Sequence, residues 1–444
     1  MARPIPVYTI SLGCPKNLVD TEKILGVLGD RFQPVESLSE AAVVLINTCG
    51  FIQPAVEESV QTILETARDV EELSPRPLIA VTGCLHARYG AELERELPEV
   101  DLWVPLAGQE EAGSYLLPAL GREDEGEGPA PEPARGGSAP ARVISTGASH
   151  AYLKISEGCD RSCSFCLIPD IRGGMRSRSI ESLREEARFL LDQGVRELIL
   201  VGQDVTEYGR DLGPNQDLPA LLRELASLPG LAWLRLMYLY PSGINERLLS
   251  ALREVSPPLL PYFDIPLQHA HPDILRAMGR PFATQPDRVV DLVRSHFPEA
   301  SLRTTLLTGF PGEGEEHFRV LSDFVRRHRF QHMGVFAFWP EEGVRAAEFF
   351  GQVDRELKEA RRNELMRIQA EISEDQLEAY QGREMAVLVD RPNPEWPTLY
   401  EGRVWFQAPE VDGICYVSGE NLSPGDMVSA RIEETRTYDL VALV

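Results

Sequence analysis

Three cysteines within eight residues offer the strongest chemistry in this sequence. Cys159, Cys163 and Cys166 stand in the stretch CDRSCSFC, with the spacing C-x3-C-x2-C. Three thiolates in one short loop can ligate three irons of a [4Fe-4S] cluster and leave the fourth iron open to a small molecule. A structural zinc site would need a fourth Cys or His ligand, and no histidine lies close to this loop in the sequence. The spacing therefore favours a cluster over zinc.

Three further cysteines each follow an apolar run that is predicted to be a strand. Cys14, Cys49 and Cys84 end the runs TISLGC, LINTC and AVTGC and are 35 residues apart. Ligands bind at the carboxyl edge of open parallel sheets, so the three thiols would converge if these strands are neighbours. Chance burial of a cysteine explains one such position better than three. The pattern predicts a second cluster site with three cysteines and one open iron.

The composition is that of an ordinary globular chain with a strong acidic excess. Of the 444 residues, 43% are hydrophobic and 25% are charged, and the formal net charge is −25. This charge argues against a broad basic surface for nucleic-acid phosphates and is compatible with a basic protein partner. No apolar run is long enough to span a bilayer, and the stretch MARPIPVYTI lacks the features of a secretory signal. These features predict a cytoplasmic protein without a membrane partner.

A segment rich in Gly, Pro and charged residues divides the chain. Residues 121–142, GREDEGEGPAPEPARGGSAPAR, show no apolar periodicity and are predicted to be a flexible linker. Before it, at 1–120, continuous apolar runs alternate with helical patterns, which predicts a doubly wound parallel α/β domain. One helix of this domain is predicted over PAVEESVQTILETARDVEEL, with Pro54 near its start.

The alternation of strand and helix patterns resumes after the linker, through residues 143–378. Six successive units predict a partial (β/α)6 barrel, with its site at the carboxyl ends of the strands. One helix of this region is predicted to start after Ser179 and to end before Gly194, and a long charged helix is predicted around 353–380. Short strands separated by Gly, Pro and Asn turns at 379–444 predict a small all-β barrel.

The central cysteine loop resembles that of the radical S-adenosylmethionine (SAM) enzymes. These enzymes carry C-x3-C-x2-C with an aromatic residue before the last cysteine, here Phe165. The resemblance implies that SAM chelates the open iron of a [4Fe-4S] cluster. One electron then cleaves SAM to a 5′-deoxyadenosyl radical, which abstracts hydrogen from carbon. It also implies an electron donor such as a flavodoxin or a ferredoxin.

Two three-cysteine sites and an all-β tail narrow the resemblance. Over nearly its full length the chain resembles the methylthiotransferases, which have an N-terminal cluster domain, a radical SAM barrel and a C-terminal TRAM domain. The resemblance implies two [4Fe-4S] clusters, ligated by the six cysteines named above, and SAM both as methyl donor and as radical source. It further implies that the open iron of the N-terminal cluster holds the sulfur that becomes methylated.

Two sequence motifs and the charge of the tail bear on the substrate. SLGCPKNLVD resembles the branch that modifies a ribosomal protein, because Pro15 and Lys16 stand where the tRNA-modifying branch has Gln-Met. In YFDIPLQHAH, Gln268 and His269 likewise stand where that branch has Gln-Ser. Residues 379–444 contain five arginines, no lysine and eleven carboxylates, a net charge of −6, which suits a basic protein better than tRNA.

The resemblance therefore implies methylthiolation of the β-carbon of an aspartate in the basic small-subunit ribosomal protein twelve, with no direct nucleic-acid substrate. Two alternatives stay open. One is the tRNA adenosine methylthiotransferase of the same family, and the other is a non-catalytic iron–sulfur electron-transfer protein. The electron-transfer protein would need closed clusters with four ligands, whereas both sites here lack a fourth cysteine.

Four residues at predicted strand ends, besides Phe165, are candidates for contact with SAM. Gly202 and Gln203, in VGQD, take the place of the Gly-Gly-Glu element of related barrels but depart from it. Gly309, in LLTGFPGE, would let the backbone approach the adenine closely, although an ordinary strand-to-helix turn explains it too. Gln268 ends the fourth strand of the barrel. No side chain is assigned a catalytic role.

Three arginines follow the cysteine loop, and a seventh cysteine stands alone near the end of the chain. Arg172, Arg176 and Arg178, in RGGMRSRS, are candidates to bind the cofactor carboxylate or the substrate aspartate, since arginine suits bidentate pairing. A solvated basic loop is the alternative. Cys415 lies in a predicted strand, and core packing is the expected role.

Overall fold

The computed structural model forms two compact units. It describes residues 3–122, 142–281, 284–396 and 398–444, so most of the predicted linker, at 123–141, lies outside the described residues. The units comprise Met1–Ser145 with Leu167–Gly174, and Thr146–Cys166 with Met175–Val444. No helix among the described residues is long and apolar enough to cross a membrane.

The first unit is built on a parallel sheet of five strands in the order β2-β1-β3-β4-β5. The strands are β1 (Ile5–Ser11), β2 (Phe32–Pro34), β3 (Val43–Thr48), β4 (Leu78–Gly83) and β5 (Leu102–Trp103). The helices are α1 (Pro15–Leu28), α2 (Gln53–Glu71), α3 (Cys84–Tyr89), α4 (Ala91–Glu96), α5 (Ala112–Ala119) and α6 (Ile168–Arg172). Pro54 lies in the first turn of α2, as predicted.

The central strand β3 explains why this domain has helices on both faces. Val43 and Leu45 belong to one core layer, together with side chains of α1 and α5. The alternating residues Val44 and Ile46 belong to the opposite layer, together with side chains of α2. Successive side chains of a strand point to opposite faces, so a continuous apolar run requires cover on both sides. The predicted doubly wound α/β domain is confirmed.

The second unit contains an open parallel sheet of six strands in the order β6-β9-β10-β11-β12-β13. The six strands are β6 (His150–Lys154), β9 (Glu197–Val201), β10 (Trp233–Leu236), β11 (Leu259–Asp264), β12 (Ser301–Thr308) and β13 (His332–Ala337). Two short strands, β7 (Ser156–Glu157) and β8 (Arg176–Ser177), pair with each other in a separate antiparallel sheet. Its helices are α7 (Ile180–Asp192), α8 (Leu218–Ala226), α9 (Glu246–Glu254), α10 (Pro272–Ala277), α11 (Pro286–His296), α12 (Glu315–His328) and α13 (Arg355–Glu378). This is the predicted partial (β/α)6 barrel.

The helix α7 begins and ends where the sequence predicts. The Ser179 hydroxyl caps its N-terminus by accepting the N–H of Ser182 at 3.2 Å. Gly194 follows its last turn with a φ of 95°, a left-handed conformation that glycine adopts without strain. The long helix predicted around 353–380 is α13.

The C-terminal part of the second unit is a closed β-barrel in the order β14-β15-β16-β18-β17. Its strands are β14 (Glu384–Pro392), β15 (Leu399–Arg403), β16 (Cys415–Ser418), β17 (Met427–Thr435) and β18 (Leu440–Leu443). Cys415 is fully buried among the apolar side chains inside this barrel, which confirms the core role predicted for it.

A buried ion network joins this barrel to the six-stranded sheet. Glu197, the first residue of β9, accepts a hydrogen bond from Arg235 Nε at 2.6 Å and pairs with Arg403 of β15. Arg403 also donates to both carboxylate oxygens of Asp390, at 2.8 and 2.9 Å. The barrel is therefore held at the amino end of the sheet, away from the edge where the predicted site residues lie.

Candidate cluster and cofactor sites

The structure brings Cys14, Cys49 and Cys84 to one edge of the first sheet. Cys14 is the N-cap of α1 after β1, Cys49 directly follows β3, and Cys84 opens α3 after β4. Strand β3 lies between β1 and β4, so the three residues follow the carboxyl ends of adjacent parallel strands. This is the arrangement that the strand-end pattern predicts.

Glycines let the three turns approach one another closely. A Cβ at Gly13, whose φ is 88°, would lie 2.7 Å from Cβ and 2.9 Å from Sγ of Cys49. A Cβ at Gly83, whose φ is 106°, would collide with the carbonyl oxygen of Thr48. A Cβ at Gly50 would lie 2.8 Å from the carbonyl oxygen of Cys84. Each turn therefore packs against its neighbour with no room for a side chain.

The charge of Arg172 acts on all three of these thiols. Burial raises the pKa of Cys84 to about 11 and also raises that of Cys49, while Arg172 opposes both shifts. Burial acts on Cys14 in the same direction, but Lys16, hydrogen bonds from backbone N–H groups and Arg172 together bring its pKa below the ordinary value. A thiol binds metal as the thiolate, so a buried cation beside these three thiols favours metal ligation.

The three arginines after the cysteine loop have separate environments. Arg172 is buried in the first unit, where it binds Cys84 and groups of α1, so it is not a residue of a solvated loop. Arg178 donates to the carbonyl oxygen of Lys154 and to the hydroxyl of Ser182 in the second unit. Of the three, Arg176 alone is exposed, as the solvated-loop alternative expects.

The second cysteine loop, Cys159 to Cys166, is held by backbone groups of the second unit. Ser164 donates its N–H to the Met278 carbonyl at 3.0 Å, and its own carbonyl accepts from the Ala346 N–H at 2.9 Å. Gly279, with a φ of 75°, is packed so closely that an added Cβ would lie 2.6 Å from the Ser162 carbonyl oxygen. The loop is therefore fixed from two sides by main chain that the sequence places more than a hundred residues away.

Several polar side chains that sequence reasoning did not identify surround this loop. The backbone N–H of Arg161 donates to Cys159 Sγ at 3.4 Å, and its guanidinium binds Asp204 at 2.9 Å and lies over the ring of Tyr240. Burial, opposed by Arg280 and assisted by the neighbouring Cys163, raises the pKa of Tyr240 to about 12, so its phenol is neutral at physiological pH. Tyr240 follows β10 at the carboxyl edge of the sheet, and that position is the signal that could have identified it.

The spacing of the sulfur atoms bears on whether the cysteine triples are arranged for zinc. Among the residues that the structure describes, neither cysteine triple gathers its three sulfur atoms within 4.8 Å of one another. A tetrahedral zinc ion with Zn–S bonds of about 2.3 Å requires sulfur atoms about 3.8 Å apart. A four-iron cubane accommodates wider spacing, because each thiolate binds a different iron. Within the described residues, neither triple is therefore arranged as a preformed tetrahedral zinc site, and the cubane cluster at each triple stays a prediction.

One other group of metal-ligating side chains gathers within the described part of the chain: His271, Asp273 and His317. Nδ1 of His271 accepts the Asp273 N–H at 3.2 Å, and Nδ1 of His317 accepts the Gly314 N–H at 2.9 Å. With Nδ1 engaged as an acceptor, metal binding at Nε2 would require each ring to lose its remaining proton. The hydrogen bonds therefore disfavour a metal here.

The four predicted strand-end contacts to SAM lie after β9, β11 and β12, at the same edge of the sheet as the cysteine loop. Gln203 donates to Glu157 Oε1 at 2.9 Å, and a Cβ at Gly202 would lie 2.7 Å from the Ser156 hydroxyl. Gln268 has a φ of 70° and extends the pairing with β12. These contacts, and that of Phe165 in the cysteine loop, stay predictions.

Gly309 has a packing role that the sequence did not reveal. A Cβ on this residue, whose φ is 69°, would collide with the side chain of Lys358 on α13. Its N–H donates to Glu313 Oε2 at 3.0 Å, and Glu313 also binds Arg361 at 2.8 Å. The close approach of α13 therefore explains this glycine without a cofactor.

Comparison with known protein families matches three regions of the chain. Residues 6–105 match the model of uncharacterized protein family UPF0004, residues 153–325 that of the radical SAM superfamily, and residues 382–444 that of the TRAM domain. Among solved structures, the radical SAM methyltransferase TsrM from Kitasatospora setae aligns with a TM-score of 0.54 and 16% identity, covering 76% of this chain and 75% of TsrM. At that identity the likeness shows the fold alone.

The fold and the site thus define a radical SAM protein with an N-terminal UPF0004 domain and a C-terminal TRAM domain. Curated relatives are closer in sequence. The ribosomal protein uS12 methylthiotransferase RimO of Nitratidesulfovibrio vulgaris (strain DP4) is 58% identical over 441 residues, 99% of this chain and 100% of that protein. The protein of the same name from Aquifex aeolicus is 43% identical over 437 residues, 98% of this chain and 96% of that protein. The chain belongs to this RimO family and is a radical SAM methylthiotransferase.

Proposed function

We propose that this enzyme methylthiolates the β-carbon of an aspartate in ribosomal protein uS12 with two [4Fe-4S] clusters. Cys14, Cys49 and Cys84 would hold one cluster, and the loop from Cys159 to Cys166 would hold the other. The observation that carries the proposal is the convergence of three strand-end cysteines in the first unit, in a chain that also has the radical SAM loop. The names of the relatives that align over nearly the whole chain support uS12 as the substrate.

Each cysteine set provides three thiolates, so one iron of each cubane stays open to another ligand. When bound, the clusters and SAM supply a carbon-centred radical, a methyl group and a site for the inserted sulfur. The protein positions these groups through turns that exclude side chains at Gly13 and Gly83. The two backbone hydrogen bonds of Ser164 hold the second cysteine loop in place. Burial of Cys84, with 5% of its surface exposed, also keeps water from the first cluster site.

The acidic character of the chain supports a protein substrate over tRNA. The net charge of −25 and the absence of lysine from 379–444 oppose non-specific binding to phosphates. They favour encounter with a basic ribosomal protein. We further infer a small electron donor such as a flavodoxin or a ferredoxin, because reductive cleavage of SAM consumes one electron. We also infer a cytoplasmic location.

Mass spectrometry of uS12 and of tRNA from a deletion strain tests the substrate. Complementation with the wild-type gene should restore one added CH2S unit on a uS12 aspartate, and complementation with Cys163→Ala should not. Loss of a methylthio group from tRNA adenosine, with uS12 unchanged, would overturn the uS12 assignment in favour of the tRNA-modifying activity.

A further inference from the structure

Arg172 uses its whole guanidinium group inside the first cysteine site. Its side chain is 2% exposed. Nε donates to Cys84 Sγ at 3.2 Å, Nη1 donates to Asp20 Oδ2 at 3.1 Å, and Nη2 donates to Asn17 Oδ1 at 2.6 Å. One planar fork therefore binds a thiol, a carboxylate and an amide at the same time.

The two oxygen acceptors are themselves fixed. Asn17 Nδ2 donates to the carbonyl oxygens of Leu12 and Thr48, at 2.8 and 3.0 Å, so its amide oxygen must face Arg172. Asn17 and Asp20 are three residues apart on α1, and therefore lie on one face of that helix. The orientation of the Arg172 fork is thus set by α1 and by two strand ends, and its Nε is aimed at Cys84 as a consequence.

Arg172 reaches this site from the radical SAM part of the sequence. It is six residues after Cys166 and ends α6, which belongs to the first unit together with the rest of Leu167–Gly174. A single short segment thus carries a ligand of one proposed cluster at one end and a cation of the other cluster site at the other end.

We propose that Arg172 is a positioning residue of the N-terminal cluster, where its Nε–H donates to the Cys84 sulfur and raises the reduction potential of the cluster. The proposal rests on the proposed function only in requiring that Cys14, Cys49 and Cys84 hold that cluster. Hydrogen bonds to cluster sulfurs and nearby positive charge stabilise the reduced form, which carries one more negative charge. Lysine cannot reproduce the effect, because an ammonium lacks the planar fork that engages three acceptors.

A purely structural role makes a different prediction. If Arg172 only anchored Leu167–Gly174 to the first unit, its removal would lower the thermal stability and leave the properties of an assembled cluster unchanged. The potential and the spectrum of the cluster therefore distinguish the two roles, whereas activity or stability alone would not.

The test uses the full-length chain with Cys159, Cys163 and Cys166 all changed to Ala, so that one cluster remains. Arg172→Gln is compared with this parent and with Arg176→Gln, which removes an exposed arginine four residues further along. Iron is counted, and the midpoint potential is measured by a redox titration followed by electron paramagnetic resonance. We expect Arg172→Gln to lower the midpoint potential by at least about 59 mV, which is a tenfold shift toward the oxidised cluster for one electron. The midpoint potential of Arg176→Gln should match that of the parent.

Equal potentials and spectra in the parent and in iron-loaded Arg172→Gln would overturn the proposal. If that variant does not retain about four irons, Arg172→Lys decides, because it keeps the charge without the fork. A shifted potential or spectrum in Arg172→Lys supports the proposal, and parent-like values refute it. A parent that binds no iron would instead overturn the N-terminal cluster itself, and the role of Arg172 with it.

Discussion

The backbone of Gly13 lies directly against the side chain of Cys49. A Cβ on Gly13 would come within 2.9 Å of Cys49 Sγ, and the φ of 88° at Gly13 is itself unfavourable for other residues. The residue before one proposed ligand thus sets the position of another. The spacing of Cys14, Cys49 and Cys84 therefore depends on the absence of a side chain at Gly13 as much as on the thiols.

Gly13→Ala should impair the N-terminal cluster selectively. The added methyl group would displace Cys49, so we expect the iron content of the reconstituted enzyme to fall from about eight to about four per chain. Gly29→Ala is the matched control, because Gly29 also has a positive φ, 56°, but an added Cβ meets no atom within 4 Å. That control should lose about 1–2 kcal/mol of stability through backbone strain and keep its iron. Full iron loading of Gly13→Ala would contradict this account.

Removing one cysteine ligand should abolish iron binding at its own site and leave the other site loaded. Cys84→Ala and Cys163→Ala should each retain about four irons per chain, since each disrupts one cubane. Cys163→Ala should form no 5′-deoxyadenosine from SAM, whereas Cys84→Ala should still form it. Cys415→Ala, which changes a thiol inside the C-terminal barrel, should match the wild type in iron content. A loss of all iron in either ligand variant would argue against two independent sites.

Tyr240→Phe should weaken reduction of the radical SAM cluster without removing it. The substitution removes the neutral hydroxyl that interacts electrostatically with Cys163 and leaves the ring beside Arg161 and Arg280. We expect a lower midpoint potential and a roughly tenfold slower formation of 5′-deoxyadenosine, as for other outer-shell donors. Tyr208→Phe, which removes a buried hydroxyl bonded to the Arg178 carbonyl, is the control. Equal effects of the two substitutions would rule out a specific role of Tyr240.

Glu197→Gln should destabilise the second unit in a pH-dependent manner. Loss of the anion between Arg235 and Arg403 should cost about 3–5 kcal/mol, against less than about 1 kcal/mol for the exposed control Glu371→Gln. Burial raises the pKa of Glu197, but the two arginines outweigh burial and hold it below the ordinary 4.5. The Glu197 contribution is thus complete above pH 4.5 and is lost as the pH falls through the lower folded-state pKa.

Urea unfolding at a series of pH values measures this effect. The free-energy difference between the wild type and Glu197→Gln should be constant from pH 7 to about pH 5 and should shrink below that range. A difference that grows toward acid pH would contradict the assigned direction of the pKa shift.

The proposed cluster ligands could be predicted from the sequence, because a short stretch of chain is enough to identify each of them. An apolar run that ends in Gly-Cys or Thr-Cys specifies both a strand and the edge at which its thiol emerges, so Cys14, Cys49 and Cys84 could be placed before any tertiary structure was known. The same applies to the capping of α7 by Ser179, since the hydroxyl that accepts and the N–H that donates are three residues apart.

Residues whose role depends on distant packing could not be placed. Arg172 and Cys84 are 88 residues apart, and their contact exists only because Leu167–Gly174 joins the first unit. For Gly309 the sequence indicates a cofactor contact or an ordinary strand-to-helix turn, and it does not indicate the tight contact with Lys358 on α13. Sequence distance conceals such contacts, because no local periodicity encodes which element will pack there.

The most direct test of the methylthiotransferase account is the fate of a labelled methyl group. The reconstituted enzyme is reduced anaerobically with uS12, tRNA, a sulfide source and SAM that carries deuterium in its methyl group, and both macromolecules are analysed by mass spectrometry. The account predicts a labelled methylthio group on one uS12 aspartate, with 5′-deoxyadenosine formed alongside. Label on tRNA adenosine, or 5′-deoxyadenosine without any modified uS12, would contradict it.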